Sequence, residues 1–388
     1  MSADIQLSPA FIQTDIVREA PRPVHLQQED YAAKFDWKTL FYDVYRLGEH
    51  VVLQGPPLFN LLDELKRSQP FDKALRWPFR KAKHIGHNKR GEIWLRSSAN
   101  HIRISGPLGH FDLAVQPDAS ERFADKRVLL TQSKDNEVAW IIDWIRYHQR
   151  LHGVDAVLFY ENNSTIYDRD ELQAKLSEAI RDIDVLVVDW PYIYGPQAGP
   201  HWAVNGEEPD WDSDFCQVGM LQHARFRFLQ KARSVMHNDI DELVIANGPR
   251  SVYEAAEADP AGMIKFEGRW ISAWTEGDID TAHLRHSDFL FDEGLDKPMS
   301  TGKWCSVPRK FERRETWGVH NIFGKAGNNA VTAEFVFRHF RGLTNNWHYD
   351  RTSVSDDELA TLVRDEALVA AMAAAGLMPD SGKKAQSA

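Results

Sequence analysis

Between residues 126 and 237 the sequence alternates short apolar runs with longer amphipathic stretches, and this alternation restricts the fold more than any other feature. The apolar runs have the length of strands, and in the first long stretch Trp140, Trp144 and His148 recur at helical spacing. We therefore predict strands at residues 128–131, 155–160, 185–189 and 234–237, and helices at residues 137–151, 171–183 and 215–231. Strands separated by helices of this length form a mostly parallel sheet with helices on both faces.

Polar residues follow three of these predicted strands. In chain order they are Gln132-Ser133-Lys134, Glu161-Asn162-Asn163-Ser164 and Asp239-Ile240-Asp241. The carboxyl ends of parallel strands meet at one edge of a sheet, and ligands of such sheets bind beyond those ends. The sequence therefore predicts a binding site where the three polar segments converge.

The third of these segments contains a pair of acidic residues, Asp239 and Asp241, that could bind a metal ion. In an extended chain residues i and i+2 project to the same side, so the two carboxylates point together while Ile240 points into the protein. Neighbouring carboxylates repel unless a cation lies between them or one takes a proton. Such oxygen ligands suit Mg²⁺ or Mn²⁺, which hold substrate phosphates. An isolated Asp-x-Asp is more often a solvated strand end, but the other polar strand ends favour a nucleotide-diphosphate site.

The chain also resembles a known family over about residues 126–352. The blocks that carry the resemblance are Lys134-Asp135-Asn136-Glu137, Trp144-Ile145-Arg146-Tyr147-His148, Gly153-Val154-Asp155, Tyr160-Glu161-Asn162-Asn163-Ser164, Asp239-Ile240-Asp241-Glu242-Leu243, Lys303-Trp304-Cys305-Ser306-Val307-Pro308, Gly318-Val319-His320 and Arg338-His339-Phe340-Arg341-Gly342. Together they resemble family-2-like glycosyltransferases, most closely those related to glycosyltransferase family 92. One departure is Glu161, where the family usually has Asp.

The resemblance implies a GT-A fold that binds a nucleotide-sugar donor and a divalent metal. By analogy Gln132, Lys134, Asn136 and Asn162 lie beside the nucleotide. Residues 239 and 241 hold Mn²⁺ or Mg²⁺ against the diphosphate, so Asp239 also counts among the residues that bind the donor. A Lewis acid is needed because negative charge builds on the departing diphosphate.

Two further roles are predicted less directly. GT-A enzymes often supply a later histidine as a metal ligand, and we choose His320 first and His339 second, although a single histidine is more often a structural donor. An inverting transfer needs a carboxylate that takes the proton of the acceptor hydroxyl. Glu267 is the predicted base, and Asp214 and Asp278 compete with it.

At 388 residues the chain is long for one domain. We predict a loose N-terminal arm at residues 1–34, a β-rich accessory module at 35–125, the GT-A glycosyltransferase domain at 126–352, and a C-terminal helix with a frayed tail at 353–388. The module is predicted to have strands at residues 40–44, 51–54, 92–96 and 101–105 and a short helix at 58–66, because Gly, Pro and Asn separate short β-type runs there.

A basic stretch lies inside this module at residues 73–90. Its cations are Lys73, Arg76, Arg80, Lys81, Lys83, Lys89 and Arg90, and it contains no acidic residue. Such a stretch in an acidic protein is suited to an anionic acceptor or to the inner surface of a membrane. The alternative is a solvated loop.

Composition narrows the function classes and the compartment. A net charge of −11 argues against nucleic acid as a partner, since binding to phosphate backbones needs a basic surface. The two cysteines, Cys216 and Cys305, exclude a disulfide scaffold and fit a reducing compartment. We find no signal peptide and no apolar run long enough for a membrane span, so we predict a cytoplasmic protein with peripheral contact to the inner membrane surface.

The sequence thus predicts a metal-dependent glycosyltransferase. It would move a sugar from a nucleotide-diphosphate sugar to a hydroxyl of a glycan or lipid-linked acceptor, in polysaccharide or glycoconjugate synthesis. Three alternatives stay open: a nucleotidyltransferase on a similar α/β sheet, a non-catalytic glycan-binding protein, and a glycoside hydrolase. The polar strand ends and the acidic pair argue against the hydrolase, which requires two carboxylates across a glycosidic bond and no nucleotide.

Overall fold

The computed structural model describes residues 5–75, 82–87, 89–209, 212–277, 279, 283–294, 300–344 and 350–378. These residues form two compact units. The N-terminal unit consists of residues up to 122 together with residues 190–231 and 313–319. The sheet unit consists of residues 123–189, 232–312 and those from 320 onward. Each unit is thus assembled from separate segments of the chain.

The helices of the described part of the chain are short, apart from two in the sheet unit. In chain order they are α1 Tyr31–Lys34, α2 Leu61–Lys66, α3 Phe71–Ala74, α4 Val138–His152, α5 Arg169–Ala179, α6 Phe215–His223, α7 Val252–Ala258, α8 Asp356–Leu359 and α9 Glu366–Ala374. Short 3₁₀ turns lie at Val24–Leu26, Ser120–Phe123, Pro200–Trp202, His286–Asp288, Pro308–Lys310 and Ala326–Asn329. Within these residues no helix is both long and apolar enough to cross a membrane.

The N-terminal unit is built on β-structure. Its first strands are β1 Ala10–Phe11, β2 Thr39–Phe41, β3 Asp43–Leu47, β4 His50–Gly55, β5 Ala82–His87, β6 Arg90–Arg96, β7 His101–Gly106 and β8 Gly109–Ala114. An antiparallel sheet has the order β3-β4-β6-β5, and β7 and β8 form a hairpin. Apolar residues of this sheet, such as Leu53 and Ile93, form one buried cluster with Leu61 of α2.

The segment before this sheet differs from the predicted loose arm, because it is fixed by buried arginines. Arg18 has no exposed surface, and its Nε donates to Pro57 O at 2.8 Å. The side chain of Arg22 is equally buried, and its Nε donates to Asp212 Oδ1 at 2.9 Å. A buried guanidinium is tolerated only where its N–H groups find acceptors, so these bonds hold residues 5–34 in place.

The segment of residues 190–231 also belongs to the N-terminal unit. Helix α6 ends at His223 and continues as a π-helical turn at Ala224–Phe228. The buried carboxylate of Asp43 on β3 accepts from Arg227 Nη1 at 2.7 Å and lies 2.9 Å from His223 Nε2. Burial raises the pKa of Asp43, but Arg227 and His223 outweigh burial, so the net pKa is lowered. The predicted helix at 215–231 therefore packs with the β-rich module.

The sheet unit contains the large sheet of the molecule. The strands of this unit are β9 Arg127–Ser133, β10 Ala156–Glu161, β11 Asp184–Asp189, β12 Ser234–His237, β13 Glu242–Ala246, β14 Met263–Ile271, β15 Phe291–Asp292, β16 Ser300–Ser306, β18 Ile322–Phe323, β19 Val331–Phe340 and β20 Val363–Arg364. Strand β17, Thr316–Trp317, belongs to the N-terminal unit. The strand order is β11-β10-β9-β12-β16-β14-β15-β20, and β19 joins both β13 and β14.

The sheet has a parallel half and a mixed half. Strands β11, β10, β9 and β12 are parallel neighbours, which confirms the predicted α/β fold. Beyond β12, strands β16, β14, β15 and β20 pair antiparallel, whereas β19 runs parallel to β14 and antiparallel to β13. The whole sheet is therefore mixed, with a parallel first half and a second half in which most neighbours are antiparallel.

Helix α4 shows why the first half folds as the sequence predicts. Its buried face carries Trp144 and Ile145, both without exposed surface. The helix ends at Gly153, whose φ of 70° is a left-handed conformation that favours glycine. At the other end of the chain, Leu368 and Met372 of α9 are buried in the same core cluster. The C-terminal helix is thus present, while residues 379–388 of the predicted frayed tail lie outside the described residues.

Candidate active site

The loops after β9 and β10 lie against each other at the carboxyl edge of the sheet. Asn162 N donates to Ser133 O at 2.8 Å, and Asp135 N donates to Ser164 Oγ at 2.8 Å. Asn136 Nδ2 donates to Ser133 Oγ, also at 2.8 Å. The structure therefore brings together the first two polar segments.

The side chains of these loops differ in exposure. Lys134 is exposed, Gln132 and Asn136 are half-buried, and Asn162 is buried. Glu161, the residue that departs from the family pattern, is buried, and its carboxylate accepts from the backbone N–H of Ser164 at 2.6 Å. Burial raises the pKa of Glu161. Its carboxylate thus holds the loop, while Lys134 is open to solvent.

The acidic pair follows β12 and lies next to these loops. The register pairs His237 with Leu130, so Asp239 lies about level with Gln132 on the neighbouring strand. Ile240 is 3% exposed, whereas the side chains of Asp239 and Asp241 are 32% and 16% exposed. The predicted burial pattern is present, with the carboxylates accessible and the isoleucine in the core. The segment is, however, a turn between β12 and β13, closed by the bond from Glu242 N to Asp239 O at 3.1 Å, and not the extended chain that the sequence predicted.

Glu242 anchors this segment. Its side chain is 1% exposed, and its Oε2 accepts from the backbone N–H of Asp239 at 3.0 Å. The carbonyl oxygen of Glu242 accepts from Asn238 Nδ2 at 2.8 Å. On the other side of the pair, His286 Nε2 lies 2.9 Å from Ile240 O. These bonds fix the backbone on which Asp239 and Asp241 stand.

Three basic side chains meet the acidic pair. Lys303 of β16 has no exposed side-chain surface, and its ammonium donates to Asp239 Oδ2 and lies 3.1 Å from Glu242 Oε2. Asp241 Oδ2 accepts from Arg351 Nη2 at 2.7 Å and lies 3.1 Å from His339 Nε2. The pair is therefore charge-compensated by the protein itself.

Trp270 supports the histidine of this group. Its indole stacks on the His339 ring with centroids 4.1 Å apart and an angle of 22° between the planes. The guanidinium of Arg351 lies 5.9 Å from the centroid of the same indole. The position of His339 beside Asp241 is thus set by packing as well as by charge.

The pKa values of the two aspartates follow from these contacts. Burial raises both, but the Lys303 ammonium outweighs burial at Asp239, and His339 and Arg351 outweigh it at Asp241. The net pKa of each aspartate is therefore below its ordinary value. Both carboxylates are ionised at neutral pH, as metal ligands must be.

The pKa of Glu242 shifts in the opposite direction. Its burial outweighs the attraction of Lys303 and, together with repulsion by Asp239, raises the pKa of Glu242 to about 7. Burial lowers the pKa of Lys303, but the two carboxylates outweigh burial and raise it. Lys303 therefore carries a full positive charge inside the site.

The oxygens of the acidic pair decide whether a divalent ion fits. Oδ2 of each aspartate is bound by the cations, and within the described residues Oδ1 of each has no hydrogen-bond partner. No three His, Cys, Asp or Glu side chains of these residues are grouped as a metal site. The chain thus offers two carboxylate oxygens, which fits Mg²⁺ or Mn²⁺, since such ions take one or two carboxylates and complete their shell with water and substrate phosphates.

Of two other predicted residues, His320 lies against strand β16 and Glu267 lies on strand β14. His320 Nε2 lies 3.2 Å from Thr301 Oγ1, and its Nδ1 lies 3.1 Å from Gly302 O, so the ring packs on β16. Glu267 is exposed on β14, three residues before Trp270, and strand alternation directs it to the opposite face of the sheet. His339, the second choice, is the histidine that contacts Asp241.

The competitors of Glu267 for the role of base are Asp214 and Asp278. Asp214 belongs to the N-terminal unit, where Lys89 Nζ lies 3.2 Å from its carboxylate. Asp278 lies outside the described residues.

Sequence reasoning missed Lys303 and Arg351 as site residues. Lys303 belongs to one of the sequence blocks that carry the family resemblance. Its position directly before the apolar residues Trp304 and Cys305 is the signal that could have identified it. Arg351 lies 110 residues after Asp241 and no local pattern marks it.

The sequence model of glycosyltransferase family 92 matches residues 132–365, which is more than half of the chain. The chain belongs to this family. The assignment confirms the resemblance derived from the ordered blocks and shows that the protein is a glycosyltransferase, here built on a mixed α/β sheet. The matched range includes residues 190–231 and 313–319, so the family 92 sequence extends over parts of both compact units.

Solved glycosyltransferase structures show distant similarity to this family 92 chain. An active-site mutant of LgtC is 12% identical, with 66% of this chain and 98% of that chain covered and a TM-score of 0.28. The galactosyltransferase LgtC in complex with donor and acceptor sugar analogues is 11% identical, with the same coverage and TM-score. Core-mannan synthase A from Aspergillus fumigatus, in a Mn/GDP form, is 9% identical, with 50% and 55% covered and a TM-score of 0.25. No curated protein sequence matches the chain.

Proposed function

We propose that this family 92 glycosyltransferase transfers a sugar from a nucleotide-diphosphate sugar to a hydroxyl of a glycan or lipid-linked acceptor, with Mn²⁺ or Mg²⁺ at Asp239 and Asp241. The observation that carries the proposal is the state of these two carboxylates. Each is ionised, partly exposed and bound by a cation through Oδ2, while Oδ1 has no hydrogen-bond partner in the part of the chain that the structure describes. That arrangement supplies two ligands in a fixed position at the carboxyl edge of a parallel sheet.

The residues around the pair have distinct proposed roles. Lys303, Glu242 and Arg351 orient the aspartates, so the ligand oxygens need no rearrangement when the donor binds. The cations also remain beside the place where a diphosphate would gain negative charge. A bound divalent ion supplies Lewis-acid stabilisation of that charge.

The nucleotide is proposed to lie along the neighbouring strand ends. Gln132, Lys134, Asn136 and Asn162 are candidates for donor binding, as is Asp239 through the metal. Support comes from the contact between the loops after β9 and β10, which gathers polar groups beside the acidic pair. Lys134 is exposed at this edge and suited to a phosphate or ribose hydroxyl.

The base and a further metal ligand are proposed from the sequence. Glu267 is proposed as the base, and His320, whose ring lies against Thr301 and Gly302 of β16, as a further metal ligand. A cytoplasmic location is supported by Cys216 and Cys305, which are buried and unbridged. Synthesis of a polysaccharide or glycoconjugate, with peripheral contact to the inner membrane surface, completes the proposal.

The decisive experiment measures nucleotide binding with and without metal. Titration calorimetry of UDP and GDP with the wild type should show binding that requires Mn²⁺. Asp239→Asn and Asp241→Asn keep the shape of the side chains but remove their charge, and each should abolish both this binding and sugar transfer. Asn162→Ala should weaken it by about 1–3 kcal/mol, the usual effect of leaving a buried polar partner unpaired.

Asp170→Asn is the matched control, because Asp170 is highly exposed on α5 in the same unit. This variant should bind nucleotide as the wild type does. Unchanged Mn²⁺-dependent binding in both pair variants would refute the metal assignment. Binding of a sugar-1-phosphate with release of pyrophosphate would instead identify a nucleotidyltransferase.

A further inference from the structure

A cavity of about 1050 Å³ lies in the N-terminal unit, outside the proposed transfer site. It opens beside β5, the edge strand of the small sheet. Ligand sites typically measure about 300–1,000 Å³, so this cavity has the size for an oligosaccharide rather than a single small ion. Its basic lining residues are His50, Lys66, Lys83, His84, Arg96 and Arg313.

The cations of this cavity fall into two groups. Lys66 and Arg96 are paired with Asp63 at 2.8 Å and with Glu49. Lys83 and Arg313 have no carboxylate partner among the described residues. In a protein of net charge −11, two uncompensated cations in one cavity indicate a site for an external anion.

The position of Arg313 is suited to contact with an anion in the cavity. The central carbon of its guanidinium lies over the buried indole of Trp94, 4.0 Å from the ring centroid. This cation–π contact holds the guanidinium in the cavity, and a guanidinium is the group that can make a bidentate bond to a carboxylate. The indole Nε1 of Trp94 donates to Glu92 Oε2 at 2.7 Å, so the ring beneath the guanidinium is also held in place.

Two histidines of the lining experience the same positive field. Burial lowers the pKa of His50, and Arg313 lowers it further. Burial also lowers the pKa of His84, and Lys66 adds to this effect. His84 Nε2 is buried and has no hydrogen-bond partner in the described part of the chain. This atom can bond to a hydroxyl of a ligand.

The surroundings favour a soluble ligand over a lipid surface. Basic sites that bind membranes combine cations with exposed apolar side chains that enter the lipid. None of the large exposed apolar residues of the described chain lines this cavity. The cations line a concave space instead of a protruding face.

We propose that this cavity binds an acidic oligosaccharide, with Arg313 and Lys83 contacting its carboxylate groups and His84 a hydroxyl. The proposal narrows the sequence-based hypothesis for residues 73–90, of which Arg76, Arg80 and Lys81 lie outside the described residues. It does not depend on the proposed transfer reaction, since binding is measured without a sugar nucleotide.

The test compares three probes by calorimetry and vesicle sedimentation at low salt: a trigalacturonate, neutral maltotriose, and vesicles of phosphatidylglycerol and phosphatidylcholine. The full chain should bind trigalacturonate and not maltotriose. Lys83→Gln/Arg313→Gln should weaken trigalacturonate binding at least about ten-fold, and Arg313→Lys should weaken it in part because bidentate geometry is lost. High salt should weaken binding by the wild type.

The control is Arg67→Gln/Arg103→Gln, which removes the same charge from exposed sites of the N-terminal unit outside the cavity. Its affinity should match that of the wild type, and thermal unfolding should show that all variants are folded. Equal binding of the neutral and acidic trisaccharides, or wild-type affinity in the cavity variant, would overturn the proposal. So would vesicle binding that the cavity variant loses while trigalacturonate does not bind at all, since the cavity would then be a lipid site.

Discussion

Lys303, Asp239, Asp241 and Arg351 form a site whose charges balance without any ligand. Addition of a divalent cation alone would give the site a net positive charge. Addition of the cation together with a diphosphate restores the balance. We therefore expect metal and nucleotide to strengthen each other's binding by the same factor, as linkage requires.

Replacement of Lys303 is predicted to lower the free energy of unfolding. Its ammonium is buried between Asp239 and Glu242. Lys303→Met leaves a buried carboxylate without its cation and should lower the free energy of unfolding by about 3–5 kcal/mol. The double variant Lys303→Met/Glu242→Gln removes the uncompensated charge as well and should recover much of that loss. Urea denaturation without metal or nucleotide measures both effects.

Lys310→Met serves as the control for this prediction, since Lys310 is exposed and its Nζ donates only to Asp259 O among the described contacts. Its unfolding free energy should stay close to that of the wild type. An equally small change for Lys303→Met would mean that the ammonium is not needed to hold the acidic pair.

Among the residues of the candidate site, the sequence predicts the two aspartates but not the cations that bind them. Asp239 and Asp241 are only two residues apart, in the turn between β12 and β13, so their spacing in the sequence is enough to keep them near each other. Lys303 and Arg351 reach them from 64 and 110 residues away. Only the pairing of β16 with β12 and the course of the chain after β19 bring these cations to the pair. No periodicity encodes such contacts.

At the scale of elements, the alternation between residues 126 and 237 predicts β9 to β12, α4 and α5 with bounds close to those observed. Each of these elements carries its own periodic apolar pattern. The second half of the sheet was not predicted, because β15 and β20 are too short to show a pattern and β14 and β19 pair over a large sequence separation. For the same reason no pattern in the sequence identifies His339 as the histidine that contacts Asp241.

Helix α4 is joined to the residues after the acidic pair by two neutral histidines. His148 Nδ1 donates to Trp144 O at 2.9 Å, and its Nε2 accepts from Val244 N at 3.4 Å. His152 Nε2 donates to Val244 O at 2.8 Å, and its Nδ1 accepts from Val252 N at 3.4 Å. Each ring must keep one nitrogen unprotonated to accept its bond.

This geometry predicts a loss of stability in acid. Burial lowers the pKa of His152 from 6.5 to about 4, and burial also lowers that of His148. Below pH 6.5 the unfolded chain binds protons that the folded chain does not, so the free energy of unfolding falls as the pH drops toward 4. The full effect of His152 alone is roughly 3 kcal/mol. Urea denaturation followed by tryptophan fluorescence across this pH range measures it.

His152→Gln is the test variant, because an amide can donate and accept in place of the neutral ring but does not titrate. Its unfolding free energy should depend less on pH than that of the wild type. His110→Gln changes an exposed histidine and should leave the wild-type pH dependence intact. The prediction fails if the two variants show the same pH dependence.

At the scale of the whole molecule, the predicted boundary at residue 126 separates residues that pack together. Asp43 lies before it, and its partners His223 and Arg227 lie after it. A chain that begins at residue 126 would leave a buried guanidinium unpaired and should be insoluble or unfolded. A chain that ends at residue 378 should fold as the full chain does. Size-exclusion chromatography and circular dichroism compare the two.

A point variant separates this effect from truncation itself. Asp43→Asn keeps the chain complete but removes the buried charge, and should lower the free energy of unfolding by about 3–5 kcal/mol. Asp63→Asn, at an exposed position of the same unit, should change it little. A stable, soluble chain beginning at residue 126 would instead support the predicted contiguous domain.

The contact between Asp43 and His223 spans 180 residues of sequence. Synthesis at about 5–20 residues per second means that the carboxylate waits roughly ten to forty seconds for its partner to be made. Strands β9 to β11 lie within residues 127–189 and leave the ribosome inside that interval. The small sheet at the start of the chain is thus made first but completed after them, and during synthesis it is the part that most needs protection from other chains.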